Sequence, residues 1–219
     1  MGTRHLLPRA MKKASRLLAV KAETAVARNC LRSAHLEHAQ QIFSYTTRSE
    51  LEALLGLALA CPEGAVGLEI GSHLGASTCY LVAGLARRSG HLFCVDTWQN
   101  ETMPEGETDT FEQFRLNTSN VTESLTIVRK QSSELEESDL RLPLDFVFID
   151  GDHAYEAVRA DFNKVRGWMS EAGVIAFHDF LYFEGVSRVV GEALASGQWR
   201  FAGQAGNLVW VNREPFPFR

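Results

Sequence analysis

The sequence holds little cysteine. Cys30, Cys61, Cys79 and Cys94 are scattered along 219 residues with no CxxC pair. That excludes a disulfide framework and a thiolate metal knuckle, and leaves buried free thiols in a reducing cytoplasm as the expected state. No apolar run approaches the ~20 residues that a membrane-spanning helix needs. Positive charge is not in excess: 22 Lys and Arg stand against 27 Asp and Glu, a net charge of −5. Nucleic acid is therefore not the expected partner, because phosphate binding needs a basic face. Internal repeats and low-complexity stretches are absent, and the GxGxxG spacing of a dinucleotide-binding turn does not occur after the first expected strand.

What is there is the composition of an ordinary globular domain, 45% hydrophobic and 22% charged. Charge is uneven along the chain. Residues 1–34 carry Arg4, Arg9, Lys12, Lys13, Arg16, Lys21, Arg28 and Arg32 against the single acid Glu23, with Leu17, Leu18, Ala22, Ala25 and Val26 near helical spacing. Residues 1–46 are expected to form a basic, helical N-terminal extension with a solvated face. Weak contact with an anionic membrane surface, or with a partner subunit of a homo-oligomer, is the alternative. The segment lacks the long apolar core and cleavage site of a secretory signal, while a transit peptide fits its composition.

Residues 47–219 alternate strand and helix. Thr47 with Glu50 three residues later predicts a capped helix through Leu51, Leu54, Leu55, Leu57 and Leu59, ended by Pro62-Glu63-Gly64. Strands are expected over 65–70, 91–95, 125–128, 144–149, 174–177, 200–202 and 208–211. The helices between them are expected over 77–87, 111–120, 155–169 and 185–194. The 144–149 run, LDFVFI, is nearly all apolar, as befits a central parallel strand covered on both faces. The expected architecture is α/β: a doubly wound, mostly parallel seven-stranded sheet with helices on both faces. On such sheets ligands bind at the carboxyl ends of the strands.

That is where the unusual residues fall. After the first strand comes Glu69-Ile70-Gly71-Ser72-His73-Leu74-Gly75-Ala76-Ser77, a GxxxG turn leading into a helix. Glu69 at its mouth would repel a pyrophosphate but suits a cationic ligand. The second strand ends at Asp96, a carboxylate placed to accept both hydroxyls of a ribose. Trp98 follows, either walling an adenine pocket or packing in the core, and Ser132 and Ser133 come after the third strand. The fourth and fifth strands deliver Asp150-Gly151-Asp152-His153 and His178-Asp179 to neighbouring positions. Such a concentration of carboxylates and imidazoles calls for a cation, and mixed oxygen and nitrogen donors suit Mg²⁺ or Mn²⁺. Asp152 is read as tying down the start of the next helix, and Arg159 and Asp161 as a solvated helix face.

The ordered set ExGxxxGxS, strand-end Asp96 and FIDGDH resembles the class I S-adenosylmethionine-dependent methyltransferases over roughly residues 47–212. The resemblance implies S-adenosylmethionine as cofactor, held by Glu69, Gly71, Ser72, Gly75, Ser77, Asp96, Trp98, Ser132 and Ser133. The second half is similar to metal-dependent O-methyltransferases, most closely those acting on macrolide sugars. That likeness implies Asp150, His178 and Asp179 as metal ligands and His153 as general base, with a small-molecule hydroxyl as acceptor. His178 departs from that pattern, in which its position is acidic. Two other readings compete: a non-haem Fe(II) oxygenase using His153, His178 and Asp179, and a non-catalytic cofactor-binding module. A nicotinamide dehydrogenase is disfavoured by the GxxxG spacing. The acidic stretch Glu101–Asp109, with Tyr182 and Phe183, is expected to border the acceptor.

Overall fold

The structure is a computed structural model that describes residues 23–100 and 106–213. Among these, helix α1 covers 23–33, followed by α2 (Arg48–Ala60), β1 (Val66–Ile70), α3 (Ala76–Leu85), β2 (His91–Asp96), α4 (Phe111–Asn117) and β3 (Leu125–Arg129). The chain continues through β4 (Leu144–Ile149), α5 (Tyr155–Val165), β5 (Met169–Phe177), α6 (Glu184–Ala195), β6 (Arg200–Ala205) and β7 (Leu208–Asn212). One seven-stranded sheet has the order β3-β2-β1-β4-β5-β7-β6. Only β7 runs antiparallel to its neighbours. The order reverses at β1, between β2 on one side and β4 on the other, so a cleft opens above the carboxyl ends of these strands.

Alternation along β4 shows why the sheet is covered on both faces. Phe146 and Phe148 join the apolar cluster that contains Leu54, Leu55 and Tyr80 of α2 and α3. Val147 and Ile149 point the other way, into a cluster with Val158, Phe162, Val186 and Val189 of α5 and α6. The first cluster also takes in Ala27, Cys30, Leu31, Leu36 and Ala39. Residues 27–39 therefore pack as part of the domain core. The basic residues at positions 4–21 lie outside the described residues.

The start of α2 is as the sequence predicts: Glu50 accepts hydrogen bonds from the Thr47 backbone N–H and hydroxyl, both at 2.7 Å. The helix expected over 155–169 is shorter. It ends at Val165, and β5 begins at Met169 rather than Val174, paired with Leu144 across a register shift. Gly167 breaks the helical run, and Met169 instead caps the apolar end of the sheet. All four cysteines are buried free thiols. No helix among the described residues is long and apolar enough to cross a membrane.

Candidate active site

A cavity of about 1010 Å³ lies over the strand ends, lined by the β1–α3 turn, Asp96, residues 130–133, 150–154, part of α5, and His178, Asp179, Tyr182 and Phe183. Gly71 and Gly75 both adopt left-handed backbone, with φ of 87° and 86°. A Cβ on Gly71 would collide with the backbone carbonyl of Asp150. Glycine is thus what lets the turn lie against β4.

Glu69 does not face the cavity. Its side chain is fully buried beneath the turn, where it accepts hydrogen bonds from Ser72 Oγ (2.7 Å), Ser77 Oγ (2.7 Å), Thr78 Oγ1 (2.5 Å) and Cys94 Sγ (3.3 Å). Burial pushes its carboxyl above the usual range, and these donors partly offset that. The expectation that Glu69 meets a ligand from the mouth of the turn is corrected: a carboxylate inside the sheet must be satisfied, and the hydroxyls of Ser72, Ser77 and Thr78 do so. Gly71, Ser72, Ser77, Asp96, Ser132 and Ser133 line the cavity, while Gly75 shapes the turn against Phe114 and Thr118.

Asp96 sits at the carboxyl end of β2 as expected. Its Oδ2 accepts the N–H groups of Ser72 and His73, each at 2.8 Å, and its Oδ1 accepts that of Trp98 at 2.7 Å. Oδ2 is filled by its two backbone donors, and Oδ1 retains a lone pair for a ligand hydroxyl. Trp98 is corrected: it is fully buried, packed against Phe111 and Phe114 with ring centroids 5.2 Å and 4.7 Å apart, and belongs to the core. Residues 101–105 of the expected acceptor loop lie outside the described residues.

At the other side of the cavity, β4 and β5 bring two clusters together. Donor atoms of Asp150, His153 and Asp179 all lie within 4.8 Å of one another. Nε2 of His153 is 3.1 Å from Asp179 Oδ2 and 3.8 Å from Asp150 Oδ1. Although burial works against it, these carboxylates raise the His153 imidazole to about 9. Its ring stacks on Phe183 at 4.2 Å. Asp179 holds a left-handed backbone, φ 58°, and its carboxyl is driven far below the usual range, against its burial, by the two histidines. A non-glycine residue in that conformation is strained, and strain of this kind concentrates at functional sites.

His178 is not part of this donor cluster. It is 3% exposed, with Nδ1 3.2 Å from Asp150 Oδ1 and Nε2 3.4 Å from Glu50 Oε2. Despite burial, the carboxylates of Asp150 and Asp179 push it up to about 11, so it is a fixed buried cation behind them. Both ring nitrogens face carboxylates, and the convergent donor set among the described residues is Asp150, His153 and Asp179, without His178. Asp152 is exposed and accepts the Ala154 N–H at 2.8 Å, tying the turn before α5.

Three functional positions escaped the sequence. Glu50 is 2% exposed and joins His178 to the backbone N–H of Asn207, at 2.5 Å. Although burial alone would raise its carboxyl, donors from Asn207 and Thr47 hold it below the usual range. Asn207, in the β6–β7 turn, donates through Nδ2 to Asp179 Oδ1 at 2.6 Å. Asp161 is 4% exposed, not a solvated face, and lines the cavity beside Ser132 and Ser133. Burial raises its carboxyl to about 6. Only an acid at a helical spacing compatible with the inner face of α5 hinted at it. Residues 43–46 also line the cavity.

The donor set matches a divalent cation by its own chemistry. Two carboxylates and one imidazole, partly exposed and convergent, suit a hard to borderline ion. The residues fit.

Comparison with known proteins agrees with this layout. A family described as a methyltransferase domain matches residues 68–180, more than half of the chain. Among solved structures, the O-methyltransferase NovP is 16% identical, with a TM-score of 0.63 over 75% of this chain and 79% of that one. A methyltransferase from Podospora anserina with S-adenosylhomocysteine bound is 12% identical, with a TM-score of 0.61 over 98% and 100% of the two chains. A protein from Corynebacterium glutamicum is 15% identical, with a TM-score of 0.61 over 94% and 97%. At these identities the likeness is one of fold.

Proposed function

Because the chain belongs to the methyltransferase-domain family and has the class I S-adenosylmethionine-dependent fold, we propose that it methylates a hydroxyl oxygen of a small molecule with divalent-metal assistance. One observation carries the reading. The Asp150–His153–Asp179 cluster opens into the same cavity as the glycine turn and Asp96, so a proton-handling site and a cofactor site are adjacent.

In this reading the β1–α3 turn holds the methionine end of the cofactor, with the N-terminus of α3 beneath its carboxylate. Asp96, already fixed by three backbone donors, accepts a ribose hydroxyl through the remaining lone pair of Oδ1. Residues 131–133 and Asp161 border the adenine. The acceptor then lies between the sulfonium and the Asp150–His153–Asp179 cluster. Asp150 and Asp179 would hold a Mg²⁺ or Mn²⁺ ion, whose charge would lower the acceptor's pKa and offset the pull of the two carboxylates on the His153 proton. His153 is the most exposed member of the cluster, its side chain 28% exposed, and its imidazole takes the hydroxyl proton. Phe183, stacked on the ring, and Asp179, beside Nε2, hold its orientation. The oxygen attacks the methyl group in line as the C–S bond breaks and the electron pair returns to sulfur, leaving S-adenosylhomocysteine, and positioning supplies much of the rate.

The test is calorimetry with S-adenosylhomocysteine, then turnover of S-adenosylmethionine with a panel of hydroxyl acceptors before and after chelation. Binding, loss of turnover on chelation and recovery with Mn²⁺ or Mg²⁺ are expected. Absence of S-adenosylhomocysteine binding would sink the cofactor assignment, and full turnover in excess chelator would sink metal assistance.

A further inference from the structure

The acceptor half of the cavity is built from aromatic rings and has almost no positive charge. Phe43 and Tyr45, from the segment before α2, pack edge to face with centroids 5.1 Å apart, and are 55% and 50% exposed. Tyr182 and Phe183 follow β5 and are 81% and 44% exposed. All four line the cavity, and Phe183 lies on the His153 ring. The two aromatic pairs come from segments far apart in the chain, yet line one cavity. Exposed rings in a cavity wall are costly to hydrate and gain by covering a flat apolar surface.

Charge narrows the choice. The acidic lining residues are Asp96, Asp150, Asp152, Asp161 and Asp179. No arginine is among the described lining residues, and the one lysine, Lys130, is held by both oxygens of Asp139 at 2.9 Å and 2.8 Å. His178 is buried among carboxylates, and His153 lies against two of them. His73 belongs to the β1–α3 turn, on the cofactor side. A diphosphate is bound best by a cluster of arginine or lysine donors, which the described lining residues lack, and the helix N-termini that border this side, at Tyr155 and Glu184, each carry a glutamate in the first turn that opposes an anion.

Resting on the methyl-transfer reading above, we propose that the acceptor is an uncharged, flat aromatic hydroxyl compound, clamped between Phe43–Tyr45 and Tyr182–Phe183, and not a nucleotide-linked sugar. The hydroxyl reaches the Asp150–His153–Asp179 cluster from the open edge of the clamp, and the ring body fills the space between the aromatic pairs. The clamp selects through stacking, so its loss weakens acceptor binding and leaves the cofactor half untouched.

The test uses the full chain saturated with S-adenosylhomocysteine in the presence of Mn²⁺, titrated by calorimetry with 2,3-dihydroxynaphthalene and with thymidine diphosphate glucose. The naphthalenediol should bind at least about tenfold more tightly than the sugar nucleotide. Phe43→Ala and Tyr182→Ala should each weaken the diol by roughly five- to tenfold while S-adenosylhomocysteine affinity stays unchanged. Both positions are exposed, so neither substitution removes core packing. Tighter binding of the sugar nucleotide, no binding of the diol, or diol binding indifferent to both substitutions overturns the proposal. So does a dimer in sedimentation that Phe43→Ala or Tyr182→Ala dissolves, since a second copy would then cover the rings. Failure of S-adenosylhomocysteine itself to bind would instead strike the methyl-transfer reading.

Discussion

Asp161 is the residue whose energetics run against its burial. Its carboxyl titrates near 6 in the folded protein because burial penalises the charged form, against an ordinary value of 3.8. A raised carboxyl favours the folded state at low pH, and this contribution is lost as pH rises through about 6. Above that pH the buried charge costs up to roughly 3 kcal/mol. Asp161→Asn should therefore raise the melting temperature at pH 8 and change it little at pH 4. An equal effect at both values would show that charge is not the issue. The same scale decides His153. His153→Ala should cut turnover by roughly 10²–10⁴-fold and leave S-adenosylhomocysteine affinity unchanged. If Mn²⁺ affinity fell in parallel, measured by calorimetry without acceptor, His153 would be a ligand and the base would lie elsewhere.

At the scale of elements, the β1–α3 connection is held from below. Glu69 in β1 gathers the hydroxyls of Ser72, Ser77 and Thr78, and Asp96 in β2 gathers the backbone of Ser72 and His73. Two carboxylates on adjacent strands thus shape one turn, one from inside the sheet and one from its edge. Glu69→Ala leaves three buried hydroxyls to find other partners, at on the order of 3 kcal/mol. It should lower the denaturant midpoint and weaken S-adenosylhomocysteine by more than tenfold, through loss of turn shape and not of a direct contact. Unchanged affinity in calorimetry would mean that the glycines alone define the turn. A second brace runs between elements that are far apart in sequence. Glu50 of α2, His178 at the end of β5 and Asn207 of the β6–β7 turn form one buried chain of contacts behind Asp150 and Asp179.

For the whole molecule, the segment before α2 is structural as far as it is described. Leu31, Leu36 and Ala39 are buried at 1%, 0% and 1% exposure in the cluster that includes α2 and α3. Burying a leucine side chain is worth about 1.5–3 kcal/mol. Deleting residues 1–46 should therefore lower stability by several kcal/mol, or prevent folding, with a large fall in melting temperature. A separate appendage over 1–46 would leave the melting temperature of the remainder unchanged. The deletion also removes Phe43 and Tyr45 from the cavity, so any folded product should bind an aromatic acceptor poorly.

Local pattern alone determined the sheet, the strand-end positions of Asp96, Asp150, His153 and Asp179, and the capped start of α2. Short apolar runs, glycine spacing and a Thr47–Glu50 cap are properties of a few neighbouring residues, and the parallel topology follows from alternating strands and helices. Tertiary structure decided which way side chains of the right chemistry point. Glu69 and Trp98 stand at ligand-binding positions in the sequence, yet one is consumed by hydroxyls from the turn above it and the other by Phe111 and Phe114. His178 reads as a ligand until Glu50, 128 residues earlier, is found against its second nitrogen. Asp161 reads as surface until the fold turns that face of α5 inward. The physical reason is the same in each case. A polar side chain's role is set by its partners, and those partners arrive from distant parts of the chain only when the core closes.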